Sequence, residues 1–290
     1  MNKTWEIVVP GLLLIGAVAL RWIDPSPVHD LRNLVFDNFQ RISPRAYNPD
    51  LPVRIADIDE KSLDKFGQWP WSRAVLAKVV DRLHQLGAAV VAFDVLLAEP
   101  DRTGPKAVID NLPDDPKFLG VKAQMETLPD PDQQLAEAVT KVPTVFGFAM
   151  LGYDPKRPQA KPRPVGGFSS NGDSPLYFVP QYNYVIGALP SLQAAAAGNG
   201  AVNSDPDDDG VVRRIPLILN FRGKIGGEGL ATDHFLPTLG MEAIRLAFRS
   251  PSYTVRASGS NREALAGLFA SGIGAIRIEG SPIIIKTNRS

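Results

Sequence analysis

The chain has no cysteine, which excludes disulfides, thiolate metal ligands and a cysteine nucleophile. Histidine is scarce: His29, His84 and His234 are the only three in 290 residues. A multi-histidine metal centre is therefore not expected, and neither is a cofactor. Net charge is missing as well. The 31 basic and 31 acidic residues cancel, which removes the broad basic surface that a nucleic-acid partner demands. No glycine-rich loop carrying a lysine occurs, so there is no P-loop. "GGFSSNG" at 166 to 172 lacks the strand-turn-helix elbow of an exposed catalytic serine. No repeat of about 20 to 50 residues is visible, which excludes a solenoid. An oxidising compartment stays open, because a chain of this length buries a core without covalent staples.

What is present begins with an apolar run. Residues 7 to 20 read "IVVPGLLLIGAVAL", behind a short charged "MNKTWE". The 17 residues between Glu6 and Asp24 are at the lower limit for a tilted membrane-spanning helix. Residues 1 to 23 are read as an N-terminal membrane anchor. A cleaved signal peptide is the alternative, because "AVA" at 17 to 19 has the small-x-small pattern of a cleavage site. A buried core helix is the third reading. The first two both place the bulk of the chain outside the cytoplasm, on the periplasmic side of an inner membrane. Residues 24 to 50 form a connector. In it Leu31, Leu34, Val35, Phe39 and Ile42 fall at the spacing of an amphipathic helix.

The remainder, 51 to 290, reads as one α/β domain. "PVRIADID" (52 to 59) alternates like a strand. Val75, Leu76, Val79, Val80, Leu83 and Leu86 make a helical stripe, and Gly87 is a natural stop. "AAVVAFDVLL" (88 to 97) has the unbroken apolar character of a strand buried on both faces. The expected fold is therefore a mostly parallel, three-layer sheet core starting with a βαβ unit. An antiparallel, hairpin-containing second half follows. In the first half, "DPDQQLAEAVTKV" should be a helix capped by Asp130, with Pro131 at its first position and Gln133 closing a capping box. "TVFGFAML" (144 to 151) should be a core strand, and 154 to 167 a solvated loop. In the second half, a short helix is expected at 190 to 197 and two strands around the acidic turn "DPDDDG". A helix is expected at 236 to 248, and a hairpin through Gly280 and Ser281.

Ligands of open α/β sheets bind beyond the C-terminal strand ends. There the chain places "QWPWSR". Trp69 and Trp71 can form a lid, and Arg73 at the helix start can hold a carboxylate; the rival reading is a hydrophobic plug. Pro70 limits the backbone between the two rings. Asp57, Asp59, Asp94 and Glu99 are the carboxylates expected nearby. They suit a magnesium ion, or else cap helix N–H groups or pair with Arg73. "DPDDDG" (205 to 210) invites a calcium reading. The twelfth residue from Asp205 is Pro216, where a calcium loop needs glutamate, so an ordinary turn closed by Gly210 is the competing reading.

Taken in order, "ADIDEKSLDKFGQWPWSR", a helix and "GAAVVAFDVLLAEPD" resemble the second CHASE family. "DQQLAEAV" (132 to 139) resembles its Asp-x-x-Leu-Ala-x-Ala helix. "GAVNSDPDDDGVVRRIPL" (200 to 217) resembles its Gly-x-x-Asn and Asp-Gly-x-x-Arg-x-x-Pro segments. "LPTLGMEAIRLA" (236 to 247) resembles its Pro-Ser-Leu-Ala helix, with Thr238 and Gly240 departing from it. The resemblance implies an extracytoplasmic sensor domain, without catalysis of its own, in a membrane-bound receptor such as an adenylate or guanylate cyclase or a histidine kinase. It also implies further strands, membrane helices and a cytoplasmic effector beyond Ser290, so this chain is expected to be an N-terminal part. The implied partners are a membrane, an unknown extracytoplasmic signal or small ligand, and a second copy in a homodimer. Two alternatives of other classes stay open. One is a periplasmic metal-dependent hydrolase using Asp57, Asp59 and Asp94; the other is a purely structural dimerisation domain.

Overall fold

The computed structural model describes residues 3–23, 25–152, 166–223, 232–259 and 272–287. The loop expected at 154 to 167 falls almost wholly outside them. The chain divides into two units, Met1–Asp59 and Glu60–Ser290.

In the first unit the apolar run forms helix α1 (Lys3–Ile23), which carries Pro10 inside. Among the described residues no helix is long and apolar enough to cross a membrane. The structure supports a helix at that position. Helix α2 (Ser26–Ile42) covers the expected amphipathic segment, with Pro27 in its first turn.

The strand expected at 52 to 59 does not form. Val53 and Ile55 are 73% and 91% exposed, so no sheet covers either. The backbone finds local partners instead. The Arg54 guanidinium donates to the carbonyls of Pro49 and Val53, at 2.8 and 2.9 Å, and also to that of Leu51. Of those acceptors Val53 belongs to the expected strand, and its carbonyl is a group a strand would offer to a neighbour.

The second unit opens with α3 (Glu60–Phe66) and α4 (Arg73–Gln85), then β1 (Val91–Phe93). Gly87, at φ +84°, ends α4 as its position promised. The buried face of α4 carries Arg73, Leu76, Ala77 and Val80. Val79 and Leu86 are exposed, so the stripe is narrower than expected. It packs chiefly on α7. Only the centre of the run 88 to 97 is a strand. The stretch that follows, rich in proline and aspartate, contains α5 (Pro105–Asn111) and α6 (Leu119–Glu126) before α7 (Pro131–Val139). Asp130 caps α7 by accepting the Asp132 N–H at 2.9 Å. Gln133 closes no capping box. It donates to Glu137 one turn on, at 3.1 Å.

Strand β2 (Thr144–Leu151) is central to the first sheet. It pairs in parallel with β1 and with β6 (Gly198–Ala201), and antiparallel with β5 (Tyr184–Ile186). The first parallel crossover therefore runs from β1 to β2 through α5 to α7, and not from 52–59 through α4. Helix α9 (Leu239–Ala247) lies against β1, β2 and β6. A second sheet joins β3 (Gly167–Asn171), β9 (Ser252–Ala257), β10 (Ile273–Ile278) and β11 (Ile284–Lys286). The last two make the expected hairpin. A third sheet holds β4 (Gln181–Tyr182), β7 (Ile218–Gly223) and β8 (Thr232–Pro237). Pro237 closes β8 rather than sitting inside α9. Helix α8 (Pro190–Ala195) falls where the alanine-rich segment pointed.

Alternation along β7 serves two cores. Leu219 and Phe221 pack with Phe148, Met150, Val185 and Leu236, while Ile218 packs with Met241, Tyr253, Val255 and Ile276. The architecture is α/β with mixed parallel and antiparallel sheets, which corrects the mostly parallel three-layer expectation.

Candidate functional site

The site is built where α4 begins. Ser72 caps that helix, its Oγ accepting the Ala74 N–H at 3.3 Å. The same hydroxyl donates to Asp101 Oδ2 at 2.9 Å. The Arg73 backbone N–H donates to Asp101 Oδ2 at 2.6 Å, and Nη2 donates to the Glu99 carbonyl at 3.2 Å. Arg73 Nε faces Asp132 Oδ1 at 3.7 Å. The Asp101 N–H donates to Asp132 Oδ2 at 2.9 Å. Thr103 donates to Asp101 Oδ1 through both its backbone N–H and its hydroxyl, each at 2.7 Å. Two carboxylates thus sit at the N-terminal ends of α4 and α7, where unpaired N–H groups and the helix dipole favour negative charge.

Electrostatics separate the two aspartates. Burial works to raise Asp101, but the hydrogen bonds from Thr103, Arg73 and Ser72 outweigh it and hold the carboxyl below its ordinary value. Burial raises Asp132, with help from the Asp130 and Asp101 charges. The Asp101 N–H and the Arg73 charge oppose the rise without cancelling it.

The two tryptophans differ. Trp71 is buried, and its indole N–H donates to the Gly67 carbonyl at 2.7 Å. Its ring meets Phe66 and Trp69 edge-on, at 5.3 and 5.8 Å between centroids. The indole N–H of Trp71 is thus already engaged and its ring is packed. Trp69 is half-buried, before a cis peptide bond to Pro70. Of the pair, Trp69 has the surface left to touch something else.

The four expected carboxylates are all exposed. Asp57 and Asp59 are exposed, in the extended end of the first unit, and Asp94 is exposed just past β1. The Glu99 side chain faces solvent beside Arg102, at 3.6 Å. The carboxylates that engage Arg73 are Asp101 and Asp132. Both stood in the quoted motifs: Asp101 ends "LLAEPD" and Asp132 opens "DQQLAEAV". Neither was singled out in the sequence, and the charge they share with Arg73 had no signal there. Among the described residues, no group of three or more His, Asp or Glu side chains is placed to hold a metal ion. The hydrolase alternative therefore finds no gathered ligand set there.

The acidic turn closes on itself. Gly210, at φ +78°, donates to the Asp207 carbonyl at 2.8 Å. Arg213 grips Asp209 with two hydrogen bonds of 2.8 and 2.6 Å and reaches Asp207 at 2.9 Å. Those bonds hold the Asp209 carboxyl down at about 2. Two of the carboxylates that suggested calcium are neutralised by arginine. Asn203 copies a strand: its side-chain amide donates to the Met150 carbonyl and accepts the Met150 N–H, at 2.7 and 2.8 Å.

With the WPW segment, the Asp132 helix, the Gly-x-x-Asn strand and the Asp-Gly-x-x-Arg turn all in place, the wider comparison is decisive. The CHASE2 domain family matches residues 11–287, and the chain belongs to it. Its members are extracytoplasmic sensor domains. No curated protein and no solved structure matches the chain.

Proposed function

We propose that the chain is the extracytoplasmic sensory part of a membrane-bound receptor, an adenylate or guanylate cyclase in the first instance. It would pass a signal to a cytoplasmic effector outside this chain. The observation that carries the reading is the family match, which spans all but the ends of the chain. Membrane attachment is assigned to α1, whose apolar side chains Leu12, Leu13, Leu14 and Ile15 are all exposed; lipid is the solvent that suits them. Pairing of two copies is part of the proposal, and the exposed side chains Leu31, Phe39 and Ile42 of α2 are the surface offered for it.

Trp69, Trp71 and Arg73 are proposed as the signal-contacting end of the domain, with Trp69 the side chain that meets the ligand. Asp94 is kept as an outlying contact. A sensor transmits only if its ligand binds one of two arrangements better than the other. The joint of α4 and α7, held by Arg73, Asp101 and Asp132, is the element proposed to shift.

The test is a chimera of this chain with membrane helices and an adenylate cyclase domain. Trp69→Phe keeps most of the apolar cover and loses the indole N–H. It is expected to leave the thermal midpoint unchanged and to shift cyclase output by roughly twofold or more, a coupling change of about 0.5 kcal/mol. Unchanged output at unchanged stability would leave both tryptophans as packing.

A further inference from the structure

The two aspartates at the α4–α7 joint are satisfied very differently. Asp101 receives hydrogen bonds on both oxygens, from Ser72, Arg73 and Thr103. Asp132 receives one, from the Asp101 N–H on Oδ2. Its other oxygen, Oδ1, is buried with no hydrogen-bond partner, and so is Arg73 Nε across the 3.7 Å gap. At that separation charge attracts, but no hydrogen bond forms. An ionised carboxylate with one bare buried oxygen is costly in any fold.

The charged groups that act on Asp132 come from three places. Arg73 comes from α4, Asp101 from the loop before α5, and Asp130 from the turn before α7. Helix α8 also packs on α7 and brings no titratable side chain. One guanidinium therefore serves a centre crowded with carboxylates.

We propose that Asp132 is a proton-operated latch. Ionised, it holds the Arg73 guanidinium against α7. Protonated on Oδ1, it loses the charge that attracts Arg73, which falls back on the Glu99 carbonyl and the Asp101 carboxylate. The N-terminal end of α4, and the Trp69–Trp71 loop covalently joined to it, is then free to move.

Order of protonation follows from the same contacts. Burial and the nearby Asp101 and Asp130 charges raise Asp132 above the ordinary 3.8, whereas hydrogen bonds hold Asp101 below it. As pH falls, Asp132 takes its proton first. A raised folded-state value means that the stabilisation from this proton is complete below 3.8 and is lost as pH rises through the folded value. Asp101 has the opposite sign. It stabilises the fold above 3.8 and stops doing so in stronger acid. Release of the latch thus precedes acid unfolding.

The test uses the full chain and does not depend on the receptor reading. Side-chain carboxyl carbons are followed by NMR against pH. Tryptophan emission is read in parallel in a Trp5→Phe, Trp22→Phe background, so that only the loop pair emits. The expected result is an Asp132 midpoint above 3.8, an Asp101 midpoint below it, and an emission change that follows Asp132. Asp132→Asn should abolish that emission change, and Asp130→Asn should keep it. An Asp132 midpoint at or below 3.8 overturns the latch, as does an emission change that survives Asp132→Asn. If Asp132→Asn fails to fold, the emission and carboxyl midpoints of the parent chain decide; coincidence supports the latch, and disagreement overturns it.

Discussion

Replacing Arg245 by methionine is expected to cost about 3 to 5 kcal/mol of folding stability, because it strands a buried charge. Glu242 and Arg245 lie one turn apart on α9, both buried. Arg245 Nε and Nη2 donate to the two Glu242 oxygens at 2.9 and 2.6 Å, and Nη1 donates to the Ser250 carbonyl at 2.6 Å. The Tyr253 hydroxyl adds a bond of 2.7 Å to Glu242 Oε2. Burial, with the Glu242 charge beside it, pushes that hydroxyl well above its ordinary range, so it stays a donor. Methionine fills much of the space and satisfies none of these acceptors. Urea unfolding should show the loss as a lower midpoint at unchanged slope. Restoring neutrality with Glu242→Leu in the Arg245→Met chain should recover part of it, because an apolar pair of similar volume often replaces a buried ion pair at little cost. A loss under about 1 kcal/mol for Arg245→Met would mean that water reaches the pair.

Gly200→Ala should cost about 3 kcal/mol, the upper end of the usual range for overpacking. A methyl group there would stand 2.5 Å from Leu239 Cα and 2.7 Å from its nitrogen. Those atoms are backbone at the start of α9, so no side chain can turn aside to relieve the clash. The helix would have to lift from β6. Gly240→Ala makes the contrast. Nothing lies within 4 Å of that position, and alanine should stabilise the helix by up to about 0.5 kcal/mol. Thermal unfolding of the two variants should move in opposite directions. Equal shifts would contradict the close approach of α9 to β6.

Gly200 also shows which parts of the fold the sequence disclosed. Local signals were readable wherever one residue decides the outcome: Gly87 ending α4, Asp130 capping α7, Gly210 closing the acidic turn, the run 144 to 151 forming β2. Pairing was not readable. "PVRIADID" has the alternation of a strand, yet alternation names no partner, and Val53 and Ile55 are left exposed. Helices α5 and α6 were hidden by the prolines and aspartates around them, which read as loop. At the site, Arg73 was visible from its place at a helix start. Its carboxylates were not, because Asp101 and Asp132 lie 28 and 59 positions away, and only the crossover from β1 to β2 brings them back.

The most direct measurement is topology. Alkaline phosphatase fused after residue 50, and separately after residue 287, reports whether each point reaches the oxidising side of the membrane. The account predicts two active fusions that sediment with membranes, α1 remaining attached. A soluble, shortened and active product would keep the sensor outside the cytoplasm and replace the anchor by a cleaved signal. Inactive fusions at both points would contradict an extracytoplasmic sensor.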